Sequence, residues 1–430
     1  MGYFLEQFPD EETLIRQAGG SERAGGSERA GGSQRAGGSE EVPEGGSCPK
    51  VNNHIHTPYS FSAFGSVEEA VRIASAEGIR VLGINDFNVT DGYEEFLNHC
   101  LEERIFPLLN MEMIGISREH QEKGIRINDP KNPGRMYISG KGMAFPPGWS
   151  DENRQKLERV IREGNRQVSE MVRLANRWCS SQDLDLSLSV EEIMDSLAEK
   201  LLRERHVAKA IRLKIESIAA SPREFKELLR RLYGDKETGV DMADVAALED
   251  EIRARLLKSG APAFVREEES AFPGLKEIME IIVDGGGLPT YPILLDGAGG
   301  KITEFEEERE QLADSLKELG FNSVELIPLR NEHGILKEYS HYLYERGFSL
   351  SYGTEHNTTA MRPLTVSALN QTPLDNELMK ISFLGVAVQA AHQYLVAREG
   401  KDYKSRSRDD MEKLGEAVLR HYFDSFTENN

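Results

Sequence analysis

From Lys50 onward, short apolar runs alternate with segments whose apolar positions recur every three or four residues. "KVNNHIH" reads as a strand, "SVEEAVRIASAEG" as a helix with Ser66 as N-cap and Gly78 as stop, and "IRVLGIND" as a buried strand. "DGYEEFLNHCLEER" is the next helix and "IFPLLNMEMIGI" the third strand, with "GRMYISGKGMAF" a fourth. The alternation returns with the helix "PGLKEIMEIIVDGGG" and continues through the strands "LPTYPIL", "FNSVELIP" and "FSLSYGTEH", separated by the helices "FEEEREQLADSLKELG" and "GILKEYSHYLYERG". Short apolar strands alternating with amphipathic helices predict a parallel sheet or barrel.

Between the two blocks the period changes. From Asp151 to about Ser259 four stretches read as helices with no strand between them: "ENRQKLERVIREGNRQVSEMVRLANRW", "SVEEIMDSLAEKLLRERHVAKAIRLKI", "SPREFKELLRRLYG" and "DMADVAALEDEIRARLLKSG". This predicts an α/β barrel in two parts, 50–150 and 261–365, around an all-helical insertion at 151–260. Residues 366–430 hold two amphipathic helices whose apolar faces, with Phe383, Leu384, Val386 and Val388, are expected to close the barrel or form a dimer contact.

The leader, 1–49, is of another kind. Residues 1–17 read as a short amphipathic helix, and near-perfect six-residue repeats, "AGGSER", run from Ala18 to Glu40. Gly and Ser bury too little apolar surface to offset the entropy of ordering, so the repeats read as a flexible tether. A sharper reading lets residues 1–17 dock on a partner or a neighbouring subunit.

Composition narrows the function. The 430 residues carry a net charge of −21, which opposes non-specific binding to nucleic acid or anionic lipid. Cys48, Cys100 and Cys179 are widely spaced, so neither a disulfide framework nor a zinc knuckle is expected and a reducing cytoplasm is the default compartment. No signal peptide or membrane-spanning run is legible.

In parallel barrels chemistry gathers at the C-terminal ends of the strands. The polar residues there are His54 and His56, Asp86 and Asn88, Glu112, Tyr291, Glu325, and Glu355 with His356. His54 and His56, two apart on one strand, face the same side, and a metal ion would serve both. Glu112 stands alone between methionines, where an unpaired carboxylate is costly. His54, His56, Glu112 and Glu355 form a mixed nitrogen and oxygen set that suits Zn²⁺, Mn²⁺ or Fe²⁺ better than Ca²⁺.

These motifs, in order, resemble the PHP (polymerase and histidinol phosphatase) superfamily: "HIHTPYS", "GIRVLGINDFNVTDG", "LLNMEM", "GGGLPTYPIL" and "SYGTEHN". "RERHVAKAI" and "GAPAFV" are similar to the helical insertion of PHP phosphoesterases acting on nucleotides and short oligonucleotides. The resemblance covers about Val51 to Asn357 and implies a distorted (β/α)7 TIM-like barrel of PHP type. It also implies a metal-dependent hydrolase acting on a small phosphorylated or otherwise anionic substrate.

The family typically holds two or three metal ions. Here Phe61, Phe87, Tyr137 and Tyr291 stand at or near ligand positions, and Glu355 replaces an Asp. The set His54, His56, Glu112 and Glu355 then implies one ion, with the rings filling the vacated seats. His356 and His206 are the candidates for general acid or base, with Arg330, Arg205 or Arg203 for an anion. Tyr137 and Tyr291 are either donors to substrate or packing, and Asp86 a supporting group. The lost ligands leave open a ligand-binding or regulatory module, or a single-metal lyase or isomerase.

Overall fold

In the computed structural model the described residues are 3–24, 48–266, 268–295 and 301–426. Seven strands form one sheet in chain order: β1 (Lys50–Ile55), β2 (Ile79–Phe87), β3 (Phe106–Ile116), β4 (Arg135–Lys141), β5 (Leu288–Ile293), β6 (Ser323–Leu326) and β7 (Ser349–Tyr352). Beyond β7 the chain turns back to β1. His56 N–H donates to Glu355 O at 2.8 Å, and Glu355 N–H to His54 O at 2.9 Å, which nearly closes the barrel. The expected distorted seven-stranded α/β barrel is therefore what the chain forms.

One strand departs from the parallel reading. β4 runs antiparallel to both β3 and β5. No crossover helix of the usual length precedes it, only the short helix Arg118–Glu122, so the chain returns beside β3 in the opposite sense.

The helical block packs on its own apolar cluster, with Val172, Ile211, Leu229 and Leu257 inside. The stretch read as one helix over 189–215 is two, Val190–Leu197 and Glu204–Ile218. Leu201 and Leu202 are buried in the break, and Arg203 becomes the N-cap of the second helix. Its backbone N–H donates to His206 Nδ1 at 3.0 Å, so a side chain inside the helix starts it.

The last two helices, Asn376–Glu399 and Arg408–Asp424, seal the end of the barrel away from the strand C-termini. Gln393 accepts from Leu109 N–H at 2.9 Å and donates to Pro107 O at 3.0 Å, while Gln389 reaches Asn53 and Ser351. Gly385 lets the first of these helices lie against β7: a Cβ there would meet Leu350 O at 1.7 Å.

The N-terminal segment packs on this pair of helices within the same chain. Tyr3, Leu5 and Leu14 are buried, and Tyr394 and Arg398 donate to the carbonyls of Pro9 and Phe8. The helix there spans Glu11–Ala24 and so enters the first repeat. The remaining repeats lie outside the described residues. Cys48, Cys100 and Cys179 are free thiols. Among the described residues no helix is long and apolar enough to cross a membrane.

Candidate metal centre

β1, β2 and β3 deliver their C-terminal residues to one buried point. His54 and His56 Nε2 atoms lie 3.2 Å apart, and Glu112 Oε2 is 3.4 Å from His56 Nε2 and 4.0 Å from His54 Nε2. Among the described residues these three form a group with metal-ligand spacing. Gly353 at the end of β7 makes room for it, since a Cβ there would lie 2.2 Å from the Cβ of His54.

The tautomers follow from the partners. Ser60 Oγ is 2.5 Å from Asp86 Oδ1 and donates its one proton there; it therefore accepts from His56 Nδ1–H at 3.1 Å. Glu325, buried on β6, is 3.0 Å from His54 Nδ1. Burial raises its pKa, but Lys141 and His54 outweigh that and hold it down at about 2, so it is ionised and His54 Nδ1–H donates to it. Both imidazoles then turn a bare Nε2 lone pair to the same spot. Burial, followed by the charges of His54 and Arg203, keeps the His56 pKa well below its usual value. Two acceptors in contact make a seat suited to a metal ion.

Other features agree. Glu112 is pushed well above the usual carboxylate range by burial and then by Glu325 and Glu355, so its charged form needs a cation beside it. Asn85 Nδ2 lies 3.0 Å from His54 Nε2 and 3.1 Å from Ser139 Oγ, while its Oδ1 is buried with no partner among the described residues. Asp86 accepts from Thr57 N–H at 2.8 Å and from Thr57 Oγ1 at 2.5 Å; burial raises it to about 6. It supports the turn after β1 and reaches the centre through Ser60. The donor set fits a divalent ion of the zinc, manganese or iron type, bound by two imidazole nitrogens and one carboxylate, with carboxylate and hydroxyl groups orienting the rings.

The remaining sequence candidates divide. Glu355 does not join the three-residue group; its Oε2 lies 3.7 Å from Arg330 Nη1. His356 is engaged at both ring nitrogens, accepting from Thr354 Oγ1 at 2.9 Å and donating to Arg362 O at 2.9 Å, and it stacks on Phe64. Acid–base work by His356 would require the ring to leave both partners. His206 Nδ1 accepts the Arg203 N–H, so its Nε2 carries the proton; that atom is buried without a partner among the described residues, and the ring stands edge-to-face with Phe61. Burial, then Arg203 and Lys209, lowers its pKa to about 3. It is a neutral donor.

Tyr291 donates to the buried Glu306 at 3.1 Å and so serves packing. Phe87 stacks on His56 with centroids 4.5 Å apart. Sequence reasoning placed Glu325 at a strand end without a role and passed over Lys141. Lys141 Nζ is 2.5 Å from Glu325 Oε2 and fully buried. A lone Lys ending β4 and a lone Glu in the apolar β6, with one strand between them in the sheet, are the signal that could have paired them.

The centre opens into a cavity of about 1100 Å³ between barrel and insertion, reached by Arg203, Arg205, Arg330 and Arg362. Four residues on its wall, Phe61, Asn88, Glu355 and His356, have left-handed φ angles of 113°, 56°, 63° and 57°. Such backbone costs on the order of 1 kcal/mol or more per residue and concentrates at functional sites.

The chain forms a nearly closed α/β barrel with a buried two-histidine, one-carboxylate group that could hold a metal ion at its strand ends. Residues 52–204 match the family model of the PHP domain. No curated protein matches the chain in sequence. Among solved structures, a supposed metal-dependent phosphoesterase from Bifidobacterium adolescentis is 14% identical, with 80% of this chain and 98% of that one covered at a TM-score of 0.52. An amidohydrolase from Chromobacterium violaceum, with bound sulfate and no metal, is 15% identical over 77% and 96% of the two chains at a TM-score of 0.45. The first of these likenesses shows the shared fold.

Proposed function

We propose that this chain is a metal-dependent hydrolase of PHP phosphoesterase type, with a single divalent ion and a small phosphorylated or otherwise anionic substrate. The observation that carries the reading is the pair of Nε2 lone pairs, each fixed from behind, converging with Glu112. A scaffold alone would not place three such groups in contact. A zinc, manganese or iron ion held by His54, His56 and Glu112 would supply a Lewis acid beside the cleft. Glu325 and Ser60 keep the imidazoles in the ligating tautomer. Arg205 and Arg330 add positive charge to the wall on which an anion would rest. His206, buried behind Arg203 and edge-on to Phe61, is a neutral donor near that wall. The acidic exterior leaves this mouth as the place where an anion is welcome.

One observation favours a second reading, a binding or regulatory module. Phe87 packs on a ligand imidazole, where a further metal ligand would otherwise stand. The experiment decides between the two. Bound metal is measured by elemental analysis, and hydrolysis of generic phosphate esters is assayed with added Mn²⁺ or Zn²⁺. One ion per chain with turnover is the expected result, and one ion without turnover supports the module. The His54→Ala variant should lose the ion; stoichiometric metal in that variant would overturn the ligand set.

A further inference from the structure

The break at 198–203 and the Phe at position 87 bring one cation to the centre in an unusual way. Arg203 caps the helix Glu204–Ile218, and its guanidinium carbon lies 4.1 Å from the centroid of the Phe87 ring. The same ring stacks on His56. One aromatic side chain thus positions a candidate ligand and a positive charge together. Among the described residues no carboxylate forms an ion pair with Arg203. The adjacent Glu204 is taken by Arg253 and Lys258. Burial lowers the Arg203 pKa, and the neighbouring acidic groups, Glu204 and Glu112 among them, only partly restore it. A half-buried guanidinium resting on a ring, facing a cavity, with no ion-pair partner among the described residues, is an incomplete pair.

Resting on the single-ion reading above, we infer that Arg203 is the second positive charge of this centre. It binds the oxyanion of the substrate beside the ion, in the role a further metal ion would otherwise fill. The chemistry suits it. One ion can act on one oxygen of a phosphate or carboxylate, whereas an arginine fork presents parallel donors to the others at fixed geometry. Phe87 serves both charges, since it cannot ligate a second ion and its face holds the guanidinium. The substrate class follows: a compact oxyanion with at least two free oxygens, not a neutral amide or ester.

The test uses the full-length protein, with inorganic phosphate as probe, read by titration calorimetry. Wild type loaded with Mn²⁺ or Zn²⁺ should hold one ion per chain and bind phosphate. Arg203→Ala and Arg203→Gln should keep the ion and lose phosphate affinity by about tenfold or more, and Arg203→Lys should lose less. If the alanine variant does not fold, the Gln and Lys variants decide. Phosphate affinity unchanged within about twofold in Arg203→Gln would overturn the inference. So would two or more ions per chain in wild type. If wild type takes up no ion, the metal reading falls by itself. Phosphate binding to the ion-free protein then still judges Arg203: sensitivity to Arg203→Gln supports it as the oxyanion anchor, and indifference overturns it.

Discussion

His54 and His56 are each held by a different kind of partner, a carboxylate behind one and a hydroxyl behind the other. Glu325 has the more demanding place, since it also neutralises the fully buried Lys141. Replacing it by Gln removes the charge that fixes the His54 tautomer and leaves the ammonium without a counter-charge. Glu325→Gln should therefore weaken metal binding by about ten- to a hundredfold, as seen for groups that orient metal-bound histidines. Equilibrium dialysis against a competing chelator reads this directly, and an unchanged affinity would show that Glu325 serves packing alone. At this scale much of the centre was legible. A His-x-His pair on a strand end and a Glu between methionines can be read because each breaks an apolar pattern. Glu325 was harder, because "VELIP" does not say whether its carboxylate faces the barrel interior or a loop. The place of Glu355 depends on a left-handed backbone pair that no residue type announced.

Among the elements, the helix Asn376–Glu399 shows how little space the closing layer leaves. Gly→Ala inside a helix ordinarily stabilises by about 1 kcal/mol. At Gly385 the added methyl would meet the Leu350 backbone, so Gly385→Ala should destabilise by about 2 kcal/mol or more. Gly334, with nothing near its missing Cβ, should tolerate the same change. Thermal unfolding of the two variants side by side checks the contrast.

The insertion offers a pH test. Glu204 resists burial through its pairs with Arg253 and Lys258, which bring its pKa down to about 2. A carboxylate lowered on folding contributes stability above its unfolded value of about 4.5 and loses it as pH falls toward about 2, here roughly 3 kcal/mol in all. Glu204→Gln should therefore be less stable than wild type at pH 6, and the gap should close between pH 5 and pH 2 in denaturant titrations. A gap independent of pH would exclude the linkage. The helices of this block were legible from their periodicity; the break before Glu204 was not. Neither Gly nor Pro marks it, and a capping contact made by a histidine within the helix leaves no pattern. The inverted β4 was hidden for a related reason: strand direction depends on the path of the connection, and apolar alternation is blind to it.

At the scale of the whole molecule, the two ends of the barrel have separate tasks. The N-terminal segment and the last two helices fill one end, and the cationic cavity occupies the other. The bonds joining the first and last strands run through the backbone of His54, His56 and Glu355. The latch that shuts the cylinder thus shares its two histidines with the proposed ion site, so that opening one should disturb the other. Stripping the protein with a chelator should accordingly lower its melting temperature, and returning Mn²⁺ or Zn²⁺ should raise it in step with ion concentration. A melting point indifferent to chelation would mean that the latch holds without its cargo. If the temperature does respond, the cell's supply of one trace element would govern how long this molecule survives as well as what it can do.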